Sequence, residues 1–128
     1  MYLLPFSKYY IFMDKYKLAL LGEAGAAGLD RGFSIRYKVF HESYLNEVSH
    51  WKYFQKYSRS FLEKPVYYAF SILGFVISLF GIEAVKKVNE IVERNAIDFY
   101  KSNFNESNED IKRILEDEEK HFSMSVDA

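Results

Sequence analysis

Two Glu-x-x-His tetrads place the strongest constraint on how this chain can fold. Glu47-Val48-Ser49-His50 and Glu118-Glu119-Lys120-His121 each set a carboxylate and an imidazole three residues apart. That spacing falls on one face of a helix and on opposite faces of a strand. A lone glutamate precedes each tetrad at nearly the same distance: Glu23 by 47 − 23 = 24 residues and Glu93 by 118 − 93 = 25 residues. Such a separation accommodates about ten residues up one helix, a short turn, and about ten back to the same level. The chain therefore reads as two similar halves, each a helix giving one Glu followed by a helix giving Glu-x-x-His.

The chemistry of the six residues is that of a two-metal site. Four carboxylates offset the charge of two divalent ions, and imidazole with carboxylate suits iron or manganese. Four inward glutamates without a cation would each cost several kcal/mol in desolvation. The same arrangement binds two metals inside ferritin-like four-helix bundles. Glu23, Glu47, His50, Glu93, Glu118 and His121 are the candidate ligands. His41, with Lys38 three residues before it, reads as an ordinary helix histidine, and Glu90, Glu116 and Glu119 read as solvated faces.

The rest of the pattern is helical. Only two prolines occur, Pro5 and Pro65, and beyond Met13 no convincing strand alternation is present. A first helix is expected from Lys15 into the mid-thirties and a second from Glu42 to Leu62, ending at the Lys64-Pro65 step. A long third is expected from Pro65 to Tyr100, with Pro65 in its first turn. Ser107 and Asp110 resemble a capping box opening a fourth, Ile111 to Phe122. The expectation is an all-α, ferritin-like four-helix bundle with a di-metal carboxylate centre, residues 15–128 forming one domain. Residues 1–14 read as an N-terminal arm that covers the bundle or touches a membrane. They lack the basic start and small-residue cleavage site of a secretory signal and the Arg and Ser content of a mitochondrial presequence.

Composition narrows the function. The absence of cysteine excludes disulfides, iron–sulfur clusters, thiolate zinc sites and a Cys nucleophile. With 17 basic against 18 acidic residues, no global field favours nucleic acid. Aromatic residues make up 19% of the chain, and residues 65–82, PVYYAFSILGFVISLFGI, carry no charge. Both features point to contact with something greasy, and the segment is expected to meet a membrane surface, ahead of serving as a bundle-core helix and with a full span third. Glycines at 22, 25, 28 and 32 surround Glu23, each costing about 1 kcal/mol in a helix relative to alanine. Either another helix packs closely there, or Gly25 and Gly28 leave a channel beside the metals for a bulky substrate.

These stretches resemble the demethoxyubiquinone hydroxylases, membrane-associated di-iron enzymes of ubiquinone synthesis. Gly22-Glu23-Ala24-Gly25-Ala26 with Arg31-Gly32 is similar to the family's first ligand helix, and Glu47-Val48-Ser49-His50 followed by Trp51 to Phe54 to its second. Pro65 with Leu73-Gly74-Phe75 is similar to the start of its third helix, where Val92-Glu93 precedes Tyr100 at the family spacing. Asp117-Glu118-Glu119-Lys120-His121-Phe122 resembles the fourth ligand helix, so the likeness covers most of residues 20–124. Ala19-Leu20-Leu21 stands where the family usually has a polar Asp-His pair, and the chain stops at Ala128 where family members generally continue.

The resemblance implies two iron ions as cofactor, held by the six residues above, with Tyr100 near the centre in electron delivery. It implies a monooxygenase that hydroxylates a polyprenyl demethoxy-benzoquinol, with NAD(P)H as indirect electron source. The implied partners are a membrane surface, a lipophilic quinone and other ubiquinone-biosynthesis proteins. The implied location is the cytoplasmic face of a bacterial inner membrane or the matrix face of the mitochondrial inner membrane. Two other readings stand beside it: a ferritin-like or rubrerythrin-like iron oxidase or peroxidase using the same residues, and a truncated non-catalytic bundle that binds a membrane or a partner through its apolar helix.

Overall fold

The structure, a computed structural model, describes residues 14–127, so the expected N-terminal arm lies almost wholly outside the described residues. Five α-helices and one short 3-10 turn account for most of them, with no strand among the described residues. In order they are α1 (Lys15–Arg36), the turn Lys38–Phe40, α2 (His41–Phe54), α3 (Glu63–Ser78), α4 (Ile82–Asn103) and α5 (Glu109–Asp127). The all-α expectation holds; the helix count and several boundaries differ.

The expected third helix is two helices. After Ser78 the chain tightens through hydrogen bonds three residues apart, from Leu79, Phe80 and Gly81 to Val76, Ile77 and Ser78. Gly81 then takes φ 106°, a conformation that side-chain-bearing residues rarely adopt, and α4 starts in a new direction. The expected second helix stops at Phe54 rather than Leu62, and α3 begins two residues ahead of Pro65. Glu63 fixes that junction. Buried at 3% exposure, its carboxylate accepts from Trp51 Nε1, Gln55 Nε2, Arg59 Nε and the Ser60 backbone N–H. At the head of α5 the cap is Asn108, whose Oδ1 accepts from the Asp110 and Ile111 backbone N–H groups, in place of the Ser107 box. Asp14 caps α1 through the Lys17 N–H at 2.9 Å.

Packing sorts the helices by side-chain size. Helix α1 lies against α3 through small residues on both sides. A Cβ on Gly28 would overlap the Tyr67 carbonyl oxygen, one on Gly32 the Ser71 carbonyl oxygen, and one on Gly74 the Leu29 carbonyl oxygen. Gly28 and Gly32 thus allow backbone-to-backbone approach in return for their lower helix propensity, and Gly28 opens no channel.

Helices α1, α2, α4 and α5 enclose a shared interior with apolar layers at its two ends. Leu20, Phe54, Tyr100, Ile111, Ile114 and Leu115 form one layer. Leu29, Phe33, Phe40 and Val85 form the other. With Met124 of α5 packed against the second layer, Glu23, Glu47, His50, Glu93, Glu118 and His121 lie between the two in sequence, so the polar residues form a layer across the middle of the interior.

Candidate metal centre

All six residues singled out by spacing are buried, none more than 4% exposed. Helix α1 supplies Glu23, α2 supplies Glu47 and His50, α4 supplies Glu93, and α5 supplies Glu118 and His121. Three carboxylate oxygens approach each imidazole Nδ1. Around His50 they are Glu47 Oε1 at 3.0 Å, Glu23 Oε1 at 3.4 Å and Glu118 Oε1 at 3.9 Å. Around His121 they are Glu118 Oε1 at 3.3 Å, Glu93 Oε2 at 3.6 Å and Glu47 Oε2 at 3.9 Å.

These approaches are not hydrogen bonds. His50 Nδ1, His121 Nδ1, both oxygens of Glu47 and one oxygen each of Glu23, Glu93 and Glu118 are buried without a hydrogen-bond partner among the described residues. Orphaned buried polar atoms are rare because each forfeits its hydration. Here they converge on one another, and a cation bound in their midst would satisfy them together.

The atoms fall into two sets of four, Glu23, Glu47, His50 and Glu118, and Glu47, Glu93, Glu118 and His121. Within each set the donor atoms lie within 4.8 Å of one another. Two donors on opposite sides of a small divalent ion are about 4 Å apart, so each set matches one ion. Glu47 and Glu118 belong to both sets, so two ions held there would lie side by side. This buried acidic and histidine cluster can hold metal, and its donor set fits iron or manganese.

The outer ring nitrogens are held from behind. His50 Nε2 lies 2.8 Å from Asp117 Oδ2, so the ring donates its proton outward and leaves Nδ1 free to ligate. His121 Nε2 lies 3.2 Å from Asn46 Nδ2. The Tyr100 hydroxyl donates to Glu23 Oε2. Asp30 is also buried beside the cluster at 3% exposure, with Oδ2 unpartnered among the described residues, and belongs to neither set. Asp117, Asn46 and Asp30 were not singled out by the spacing argument.

Without metal the cluster carries strained protonation. Burial pushes Glu118 up to about 8, with the charges of Glu93 and Glu23 adding to it. Burial likewise carries Glu93 to about 7 and Asp30 to about 8, and raises Glu47 well above the ordinary range. Burial opposes charge on the histidines, yet Glu23 and Asp117 raise His50 to about 10, and Glu118 and Glu93 raise His121 to about 10. Glu23 goes the other way: burial is outweighed by the His50 charge and by hydrogen bonding, which hold it below its usual value. The Asp117 carboxyl is also held low by the His50 hydrogen bond.

An apolar cavity of about 370 Å³ runs along the seam of α1 and α4 to Glu23, Glu47 and Glu118. Leu18, Gly22, Ala26, Val92, Phe99 and Tyr100 are among its walls. A smaller one of about 140 Å³ shares Gly22, Ala26 and Val92 and ends at Phe70 of α3. Of the two glycines expected to leave a channel, Gly25 lines this smaller space, and Gly28 is filled by the α3 backbone. Gly22 supplies the open wall, with nothing within 4 Å of where its Cβ would stand. His41 is exposed, as are Glu116 and Glu119, and Glu90 pairs with Arg94 at 2.9 Å.

Compared with known proteins, the chain matches no family model, no curated protein and no solved structure.

Proposed function

We propose that this chain is a ferritin-like di-iron monooxygenase that hydroxylates a polyprenyl demethoxy-benzoquinol at a membrane surface. The observation that carries the reading is the pair of four-residue donor sets sharing Glu47 and Glu118, reached by an apolar cavity. Glu23, Glu47, His50 and Glu118 would hold one iron, and Glu47, Glu93, Glu118 and His121 the other. Iron bound there supplies the reduction of dioxygen and the transfer of one oxygen atom to the ring.

The chain's own residues do the rest. Asp117 keeps the His50 proton on Nε2, so that Nδ1 faces inward. Tyr100 stays protonated, because burial and the Glu23 charge raise its hydroxyl well above the ordinary value, and it steadies Glu23 as a donor. The cavity walls of Leu18, Val92 and Phe99 would exclude water and receive an apolar ring.

Helix α3 favours a lipophilic substrate over the soluble oxidase or peroxidase reading. Its outer face exposes Tyr68, Phe70, Ile72, Leu73, Phe75 and Val76, followed by Leu79 and Phe80 at 77%. Among the described residues no helix is long and apolar enough to cross a membrane. A helix lying in the interface would bury this face and bring the Phe70 end of the smaller cavity toward the lipid. NAD(P)H would be the indirect electron source, delivered through a partner of the same biosynthesis.

The deciding measurement is iron content after anaerobic loading with ferrous iron, for wild type, Glu47→Ala and Glu118→Ala. About two irons per wild-type chain, with neither variant retaining a stoichiometric ion, supports the reading and leads to a quinol hydroxylation assay in lipid vesicles. No stoichiometric iron in wild type, or equal content in all three, would sink it.

A further inference from the structure

The two halves of the cluster match on the inside and differ on the outside. Each set has one imidazole, one private glutamate and the shared pair Glu47 and Glu118. Behind His50 stands a carboxylate, Asp117 Oδ2, at 2.8 Å from Nε2. Behind His121 stands a neutral amide, Asn46, at 3.2 Å.

An anion accepting the outer N–H proton pushes electron density through the ring and makes the inner nitrogen a stronger donor. Asn46 cannot do this to the same degree. If His121 ligates through Nδ1, its Nε2 carries the proton and Asn46 turns its carbonyl oxygen to accept it. That bond is neutral and longer. Charge-assisted bonds of the first kind are roughly twice as strong.

We infer that the two ion positions are unequal, with Asp117 making the His50 position the tighter one and Asn46 leaving the His121 position the weaker. The inference rests on the proposed di-metal reading and goes beyond it, because that reading assigns no order to the two ions. Asp117 and Asn46 are positioning residues, acting on the ions only through the imidazoles. Outer partners of this kind change metal affinity by about 10- to 100-fold, which sets the expected gap between the two dissociation constants.

Tyr100 bears on the balance without reversing it, and Asp30, buried nearby, belongs to neither donor set and is not the partner of either outer ring nitrogen. The Tyr100 bond draws some donor strength from Glu23, but a neutral hydroxyl draws less than the Asp117 charge adds through His50.

The test is anaerobic calorimetric titration of the whole chain with Co2+, with the cobalt absorption spectrum recorded at each addition. Wild type is expected to take two ions in two resolved steps. Asp117→Asn should weaken the first step by about 10- to 100-fold and leave the second in place, closing the gap. Asn46→Asp should tighten the second step, a gain that a misfolded variant would not show. Two wild-type ions bound with equal affinity, or an unchanged gap in both variants, overturns the inference while leaving the di-metal reading intact. No binding of cobalt or ferrous iron by wild type overturns both.

Discussion

Tyr100 donates its hydroxyl proton to Glu23 Oε2 while its ring stacks on Phe54, the centroids 5.9 Å apart. One side chain thus joins the polar layer to the apolar layer beneath it. Tyr100→Phe keeps the ring and removes the donor, so it is expected to cost about 2 kcal/mol, the worth of a hydrogen bond to a charged group. Tyr100→Ala also empties the layer and is expected to cost about 3 to 5 kcal/mol. Urea denaturation of both variants checks the ordering. Iron content should be unchanged in Tyr100→Phe, since the hydroxyl belongs to neither donor set.

The helical class and the six clustered residues were legible because both are local properties. Glu-x-x-His spacing puts two side chains on one helix face whatever surrounds it, and equal upstream distances bring the lone glutamates to the same level. The break at residues 79–81 left only a weak mark, since Leu79-Phe80-Gly81 continues the apolar run and the turn shows only in the backbone, in its hydrogen bonds and the φ of Gly81. Asp117 and Asn46 escaped for a different reason. Their roles depend on contacts with His50 and His121 that are 67 and 75 residues distant in sequence. Gly28 was readable as close packing or as a channel, and only the position of α3 decides between them.

The glycines of α1 predict opposite outcomes for one substitution. At Gly28 an added methyl group overlaps the Tyr67 backbone, which cannot yield as a side chain would, so Gly28→Ala should destabilise by about 1 to 3 kcal/mol. At Gly22 the space is open, and Gly22→Ala should be neutral or stabilise by up to about 1 kcal/mol. Thermal unfolding of the two variants beside wild type decides it; equal losses at both positions would contradict the packing of α1 on α3.

Stability of the metal-free chain should depend on pH in a defined direction. Asp30, Glu93 and Glu118 have folded values raised to about 8, 7 and 8, so the folded state holds protons that the unfolded state releases. Their contribution is complete at low pH and is lost as pH rises through those values. His50 and His121, raised to about 10, act with the same sign above their unfolded value of 6.5. Glu63 acts oppositely. Burial is outweighed by its four donors, which hold it at about 2, and its contribution is lost as pH falls from 4.5 toward 2. Metal-free stability should therefore peak near about pH 5 and fall toward pH 8. Asp30→Asn should flatten the fall, and loading with ferrous iron should remove most of it, as denaturant midpoints at the two pH values would show.

The outer face of α3 carries the last prediction. Ile72 is 67% exposed and Phe80 77%, on an uncharged stretch whose opposite face is fixed against α1 by Gly74. Neither side chain contributes to the interior, so Ile72→Asp and Phe80→Asp should leave folding and iron content unchanged. Each apolar side chain inserted into lipid contributes about 1.5 to 3 kcal/mol, and a carboxylate there adds a cost of its own. Co-sedimentation with neutral phosphatidylcholine vesicles should accordingly fall at least about tenfold for each variant. A soluble iron oxidase would show no such dependence, because its substrate arrives from water. Wild type that stays in the supernatant, or variants that sediment equally with it, would remove the membrane from the reading and return the cavity to a water-borne substrate.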